Sequence, residues 1–173
     1  VFAKRVMLNE RGGNGGYGRL TVSGGTLNVG SLTGSTLSLS NSIAADSGAP
    51  YLVELGGSGG TVRAVTNIEI YASNTLYGAG ASAITFDTTN WTIAISGNMA
   101  GAGGFNKRGS GDLVLSGVNT YGGATRILEG AVAPSAPNAL STNGVVAFGV
   151  ASDGTSGALR LPAGFSLANY TVG

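Results

Sequence analysis

The residues that could carry chemistry are few and widely spaced. The chain of 173 residues contains no His and no Cys, so it lacks the usual general base, the commonest transition-metal ligand and any thiolate. Ser-His-Asp and Cys-His nucleophilic schemes are therefore excluded within this chain. The eight carboxylates occur singly, with no D-D or D-x-D pair: Glu10, Asp46, Glu54, Glu69, Asp87, Asp112, Glu129 and Asp153.

Two carboxylate pairs would come together only if the chain stacks on itself. These pairs are Glu54 with Glu69 and Asp112 with Glu129. A glycosidase needs two carboxyl groups roughly 5 to 9.5 Å apart beside a groove. Since no motif supports such a groove, we predict that the protein is not an enzyme and has no catalytic residue, cofactor site or metal site.

Other short motifs favour structural roles. The stretch G-G-N-G-G-Y-G, residues 12–18, resembles a calcium-binding nonapeptide but lacks its Asp, and no G-K-[ST] follows it to hold a phosphate.

Lys107 and Arg108 form a small basic spot that we interpret as a solvated corner. Asn119 is predicted at a corner and Tyr121 at the edge of the core. Thr88 and Thr89 belong to no regular T-x-T ladder.

Composition narrows the class of protein. Only 10% of the residues are charged, compared with roughly a quarter in an average domain, and the net charge is +1. No basic block suits a nucleic acid, and no apolar run approaches the roughly twenty residues that span a bilayer. We therefore expect neither nucleic-acid binding nor membrane insertion. Because the chain begins with Val1 and not Met, we expect that a leader was removed and that this is a piece of something longer.

Apolar residues recur with a period of two, which is the pattern of β-strands. Leu20 and Val22 alternate with polar residues, then Gly24 and Gly25 supply a corner, and Leu27 and Val29 continue the alternation. No segment of ten or more residues has the 3.6-residue period of a helix. The segment 133–138, with Pro134 and Pro137, is the expected departure from regular strands, because proline cannot donate to a ladder.

The spacing of these strands favours a solenoid over a sandwich or a barrel. The unit of strand, Gly corner, strand and second corner recurs about every 20 to 25 residues, as in stacked repeats. Each strand has only two or three inward apolar residues, which suits one side of a coil. The prediction is an all-β parallel solenoid of roughly seven or eight short coils, stacked at about 4.8 Å per coil.

One stretch carries a specific resemblance. The stretch Gly101–Val132, which contains the run G-F-N-K-R-G-S-G-D-L-V-L-S-G-V-N-T-Y-G-G-A-T-R-I-L-E-G-A-V at residues 104–132, closely resembles the autotransporter-associated β-strand repeat. Phe105 and Val132 stand where Leu is usual, and Glu129 replaces a small residue. The positions that agree with the family's pattern are Gly104, Lys107, Gly109, Gly111, Leu113, Leu115, Gly117, Asn119, Thr120, Tyr121, Gly123, Thr125, Ile127 and Gly130.

The resemblance implies a right-handed parallel β-helix in the exported passenger part of a large bacterial surface protein. We therefore expect residues 1–173 to form one β-helix domain of a longer exported chain, located outside the cell or at its surface. The expected function is structural or adhesive, with end-to-end self-association into a filament. Surface glycans and other cells are further expected partners. The alternatives are a carbohydrate-active β-helix, whether a polysaccharide-processing enzyme or a tailspike-like protein, and a passive stalk for another domain.

Overall fold

The computed structural model describes residues 2–3, 6–8, 19–22, 25–29, 42–45, 52–56, 59–70, 74–77, 83–149 and 156–173. These residues form short strands that are joined by turns and bends, with no helix. In chain order the strands are β1 Phe2–Ala3, β2 Val6–Leu8, β3 Arg19–Val22, β4 Thr26–Val29, β5 Ser42–Ala45, β6 Leu52–Gly56, β7 Gly60–Ala64, β8 Ile68–Ile70, β9 Asn74–Tyr77, β10 Ile84–Asp87, β11 Ile93–Ile95, β12 Met99–Ala100, β13 Phe105–Arg108, β14 Asp112–Leu115, β15 Thr125–Ile127, β16 Gly130–Pro134, β17 Val145–Phe148, β18 Gly157–Leu159 and β19 Thr171–Val172.

The strands stack into three parallel sheets. Sheet A has the order β1-β4-β7-β10-β13-β15-β17-β19, sheet B the order β18-β16-β14-β11-β8-β5-β2, and sheet C the order β12-β9-β6-β3. Successive strands of the chain lie in different sheets, so each strand pairs with strands of the preceding and following coils. This is a parallel β-solenoid, and the predicted fold class is confirmed.

Coil composition and coil length depart from the expectation in part of the chain. Sheets A and B have eight and seven strands, whereas sheet C has four, so about four coils carry three strand-forming sides and the later coils carry two. Thr26 and Thr61 are in register 35 residues apart, beyond the expected 20 to 25. Beyond β12 the third side still stacks through its backbone, for example from Thr120 N to Met99 O at 2.8 Å, without forming strands. The partners Ile84, Phe105, Thr125 and Val146 follow one another at 21, 20 and 21 residues, within the expected period.

The core is built from columns of inward side chains, one from each coil. In sheet B one column contains Ile68, Ile93, Leu113 and Val132 in register, and all four are buried. Their alternation with half-exposed neighbours such as Val114 is the period-two pattern seen in the sequence. Burial of a Leu or Ile side chain contributes about 1.5–3 kcal/mol, so these columns supply the main stabilisation between coils.

The departure from regular strands expected over 133–138 begins two residues later, at Ser135, because Ala133 and Pro134 still belong to β16. Pro134 is buried in β16 and lies in register with Leu115. Ser135 N donates to Leu115 O at 2.8 Å, so the coil below still receives a hydrogen bond although Pro134 has no N–H.

The columns predict the effect of truncating one inward side chain. Leu113→Ala removes a fully buried side chain between Ile93 and Val132 and should lower the free energy of unfolding by about 2–5 kcal/mol. Urea denaturation measures this loss. The matched control is Val114→Ala, one residue along and half-exposed, which should cost much less. Equal losses for the two variants would contradict the inward assignment of Leu113.

Candidate functional site

The described surface has a groove of about 680 Å³ over the corner between sheets A and B. Four successive coils contribute its lining residues. Its lining residues are Arg63, Ala64, Val65, Asp87, Thr89, Asn90, Trp91, Arg108, Gly109, Ser110 and Glu129. The groove therefore combines an aromatic ring with charges of both signs, and it is the strongest candidate site in the described part of the chain.

Trp91 is the aromatic member of the groove and the only tryptophan of the chain. It lies in the corner between β10 and β11 and leaves 41% of its surface exposed. Gly111 stacks on it in the next coil, where a Cβ would come within 1.9 Å of Trp91 O. Because Gly111 has no Cβ, its backbone can approach the backbone of Trp91 in the stacked coil.

An ion pair forms one wall of the groove. Arg63 Nε donates to Asp87 Oδ2 at 2.6 Å, linking β7 to β10. The other carboxylate oxygen of Asp87 accepts from Thr89 N at 2.9 Å and from Thr89 Oγ1 at 3.3 Å. Thr89 has a φ of 52°, which is unusual for a β-branched residue. Both oxygens of Asp87 are thus engaged in fixing this corner.

The opposite wall retains unused polar capacity. Arg108 is exposed, and its guanidinium has no hydrogen-bond or ion-pair partner among the described residues. Glu129 uses Oε2 to accept from Gly109 N at 3.0 Å, which leaves Oε1 available to a ligand. Arg108 and Glu129 are therefore the charged groups of the groove with capacity for a further partner.

Lys107 lies behind the groove and is fully buried, so its interpretation as part of a solvated corner is wrong. It occupies an inward column of sheet A, in register with Phe86 below and Ile127 above. Its Nζ donates to three carbonyl oxygens: Arg108 O at 2.9 Å, Gly109 O at 2.6 Å and Glu129 O at 3.0 Å. The ammonium group thereby holds together the corners of two coils.

Burial lowers the pKa of Lys107 from 10.5 to about 8. Desolvation disfavours the charged ammonium and is the main cause. The negative charges of Glu129, Asp112 and Asp87 act in the opposite direction and keep the decrease limited.

Glycines leave room for this ammonium. Gly130 has a φ of 65°, and a Cβ there would lie 2.8 Å from Lys107 Nζ and 2.3 Å from Gly109 O. Gly109 has a φ of 80°, and a Cβ there would lie 2.2 Å from Thr89 N. Both positions require glycine for conformation and for space.

Asn119 has the corner position that the sequence predicts. Its side chain is buried, with Oδ1 accepting from Met99 N at 2.7 Å and Nδ2 donating to Ala139 O. It therefore bonds the backbones of the coil below and the coil above. One residue earlier in the preceding coil, Asn98 Oδ1 accepts from Val118 N at 2.8 Å. The two asparagines thus provide hydrogen-bond partners for backbone N–H and C=O groups at the corners, which have no partner in a neighbouring strand.

Tyr121 is a full member of the core and does not merely cap its edge. Its ring packs edge-on against Phe105 with centroids 5.6 Å apart, and Phe105 packs in the same way against Phe86 at 5.5 Å. The hydroxyl lies 2.6 Å from Thr125 Oγ1. Burial raises the pKa of Tyr121 to about 12.

Three of the four carboxylates considered as pairs have separate structural partners: Asp112, Glu129 and Glu69. Arg160 Nη1 donates to both carboxylate oxygens of Asp112, at 2.7 and 2.6 Å, while Glu129 accepts from Gly109 N. Glu69 lies on sheet B and accepts from Ser96 Oγ at 3.2 Å. The Glu54 backbone lies on sheet C, so Glu54 and Glu69 do not stack in register.

The glycine-rich stretch and the two threonines that the sequence singled out do not form a site among the described residues. Residues 12–18 lie outside the described residues. Thr88 is buried and donates from Oγ1 to Arg108 O at 3.0 Å, whereas Thr89 is exposed, so the two threonines do not share a face. In the described part of the chain no three His, Cys, Asp or Glu side chains are grouped to hold a metal ion. No helix there has the length and apolar character needed to cross a membrane.

Two features were not predicted from the sequence although a residue pattern indicates each of them: the inward position of Lys107 and the stacking of Gly111 on Trp91. In F-N-K-R the period-two alternation that turns Phe105 inward also turns Lys107 inward. Trp91 is one coil length, 20 residues, before Gly111, so the stacking of Gly on Trp was readable from the repeat. The approach of Arg63, Asp87 and Arg108 depends on the stacking register, and no single motif encodes it.

The burial of Lys107 predicts a dependence of stability on pH. Because its folded pKa of about 8 lies below the unfolded value of 10.5, the unfolded chain binds more protons between these values. Stability should therefore rise from about pH 7 to about pH 10, by on the order of 2 kcal/mol. Above pH 10 the raised pKa of Tyr121 should reverse the trend, since the unfolded tyrosine ionises first.

Urea denaturation across this pH range, on the native chain and on Lys107→Met, measures the effect. The variant keeps the length of the side chain but has no titrating group, so its stability should vary less with pH than that of the native chain. The difference in slope is the readout, because removing three hydrogen bonds also changes the absolute stability. Parallel pH profiles would show that Lys107 titrates normally.

Comparison with known proteins agrees with the geometry. Residues 105–133 match the family model of the passenger-associated-transport repeat. The chain is also 40% identical, over 118 residues, to a protein named Adhesin BmaC autotransporter from Brucella suis biovar 1 (strain 1330). That alignment covers 67% of this chain but only 3% of the relative's length. No solved structure matches the chain.

The resemblance noted in the sequence is confirmed by both matches. The matched residues 105–133 include β13, β14, β15 and most of β16, together with Lys107 and Asn119. Residues 105–133 are therefore a passenger-associated-transport repeat, and the chain is exported passenger sequence exposed at the cell surface.

Proposed function

We propose that this chain is a non-enzymatic, adhesive segment of an autotransporter passenger. The observation that carries the proposal is the 40% identity, over two thirds of this chain, to a relative named as an adhesin. The fold supports it, because parallel sheets that continue from coil to coil make a rigid support with long side surfaces. Asp112, Asp87 and Glu69 have structural partners, which speaks against the carbohydrate-active alternative.

Adhesion should be measurable with the isolated chain. Beads coated with it should bind cultured animal cells several-fold more than beads coated with an unrelated protein of similar size. Leu113→Asp, which places a charge in the core, should abolish the difference because the adhesive surface depends on the folded solenoid. Binding equal to that of the unrelated protein would contradict the adhesive function. In parallel, turnover of any oligosaccharide in a panel, lost on Asp112→Asn, would favour the carbohydrate-active alternative.

End-to-end association is the second part of the proposal. Four apolar side chains in or beside β17, β18 and β19 are exposed, by 38 to 51%: Val145, Phe148, Leu161 and Val172. Phe148 is in register with the buried Ile127 of β15. Exposed apolar side chains in this part of sheets A and B favour packing against a matching coil of another copy.

This association should depend on concentration and on the apolar end. Analytical ultracentrifugation should show oligomers that increase with concentration, and Phe148→Glu should suppress them by placing a charge between stacked ends. The matched control is Val118→Glu, since Val118 is 54% exposed on the third side of a coil within the stack. A strictly monomeric chain, or equal suppression by both variants, would contradict end-to-end stacking.

A further inference from the structure

We propose that the groove around Trp91 binds an acidic sugar that carries a carboxylate. The inference rests on the proposed adhesive function and names the ligand class of that surface. Its basis is the combination of one exposed tryptophan, one unpartnered guanidinium and one available carboxylate oxygen within the same groove of about 680 Å³.

Trp91 provides the apolar surface. The C–H face of a pyranose ring is apolar and matches the face of an indole, while the hydroxyl groups at the ring edge remain free to bond polar side chains. Trp91 is accessible, since 41% of its surface is exposed. The corner that carries it is held by Trp91 N donating to Thr88 O at 2.7 Å and by Thr89 in its left-handed conformation. The backbone that carries Trp91 is thus held in place in the absence of a ligand.

The charges of the groove select an anion. The charge of Arg63 is paired with that of Asp87, and the negative charge of the Glu129 carboxylate acts on the buried ammonium of Lys107. The charge that remains is that of Arg108, which has no partner among the described residues. A guanidinium binds a carboxylate through two parallel hydrogen bonds, which is the strongest pairing that its geometry allows. A neutral ligand that covered Arg108 would remove water from the guanidinium group without pairing its charge, which is unfavourable.

The same charges disfavour other polyanions and peptides. A nucleic acid carries a phosphate on every nucleotide, and the groove has no row of basic side chains to bind successive phosphates. An acidic peptide would gain most by adding a strand to a sheet edge, but β7, β10 and β13 around the groove are already paired on both sides. Glu129 Oε1 can accept a sugar hydroxyl, which suits a ligand with one charge and many hydroxyls.

Because Trp91 is the only tryptophan, its fluorescence reports on the groove directly. Titration with galacturonate, which has one carboxylate, should give a saturable change. Its methyl ester, which lacks the charge, should bind about tenfold more weakly or worse. An oligoglutamate peptide should give no saturable change. Equal binding of the ester, or tighter binding of the peptide, would overturn the assignment.

Variants locate the binding in the groove. Arg108→Ala should weaken galacturonate binding about tenfold. Arg126→Ala is the matched control, because Arg126 is an exposed arginine on the next strand of the same sheet and does not line the groove. Trp91→Ala, followed by calorimetry, should weaken binding to a similar extent as Arg108→Ala. Equal losses for Arg108→Ala and Arg126→Ala would overturn the proposal in favour of general charge attraction.

Failure of this inference is distinguishable from failure of the proposed function. If coated beads bind animal cells while galacturonate leaves Trp91 fluorescence unchanged, the ligand assignment is overturned and the adhesive function stands. If galacturonate binds in an Arg108-dependent way but the beads do not bind cells, the groove is a sugar site and the adhesive function is overturned. If bead binding is competed by galacturonate and lost on Arg108→Ala, both are supported.

Discussion

The constraint on which the structure depends is the need to satisfy backbone groups at the corners of stacked coils. Strands pair their own backbone groups, but a corner buried between two coils must find partners elsewhere. In this chain buried polar side chains supply them. Lys107 donates to three carbonyls, Asn119 bonds the coils above and below it, and Ser141 Oγ donates to Tyr121 O at 2.6 Å. Several of these contacts join residues 20 apart, which is one coil, so they also set the register.

This constraint explains what could be predicted from the sequence. The alternation of Leu and Ile with polar residues defines strands and inward faces, because it depends only on residues close together in the chain. The solenoid follows from the repeat of that pattern. Lys107 was misplaced because a charged residue is assigned to solvent by default, although its position in the alternation turns it inward. Its burial is tolerated only because three carbonyls converge on it, and that convergence depends on two stacked coils.

The groove could not be predicted in the same way. Its residues come from four coils, and the ion pair of Arg63 with Asp87 joins positions 24 residues apart. Coil lengths vary along this chain, so the residue that faces Trp91 depends on the exact register of each coil. The glycines beside the groove give a partial signal. Gly109 and Gly111 belong to the repeat pattern, and each stacks against the backbone of residues 89–91 at distances that exclude a Cβ.

The buried side chains that hold the coils together and the exposed side chains of the groove therefore meet at one corner, the one formed by Arg108 and Gly109. The ammonium group of Lys107 fixes the carbonyls of Arg108 and Gly109, and Arg108 and Gly109 line the groove. The Arg108 carbonyl also accepts from Thr88 N and Thr88 Oγ1, which ties the corner of one coil to the corner that bears Trp91. Because the backbone of Arg108 is held from inside, its side chain can differ in charge or size without loss of the coil. A passenger built from such coils can thus keep its inward residues and vary its outward ones, and one scaffold can present different contact surfaces along its length.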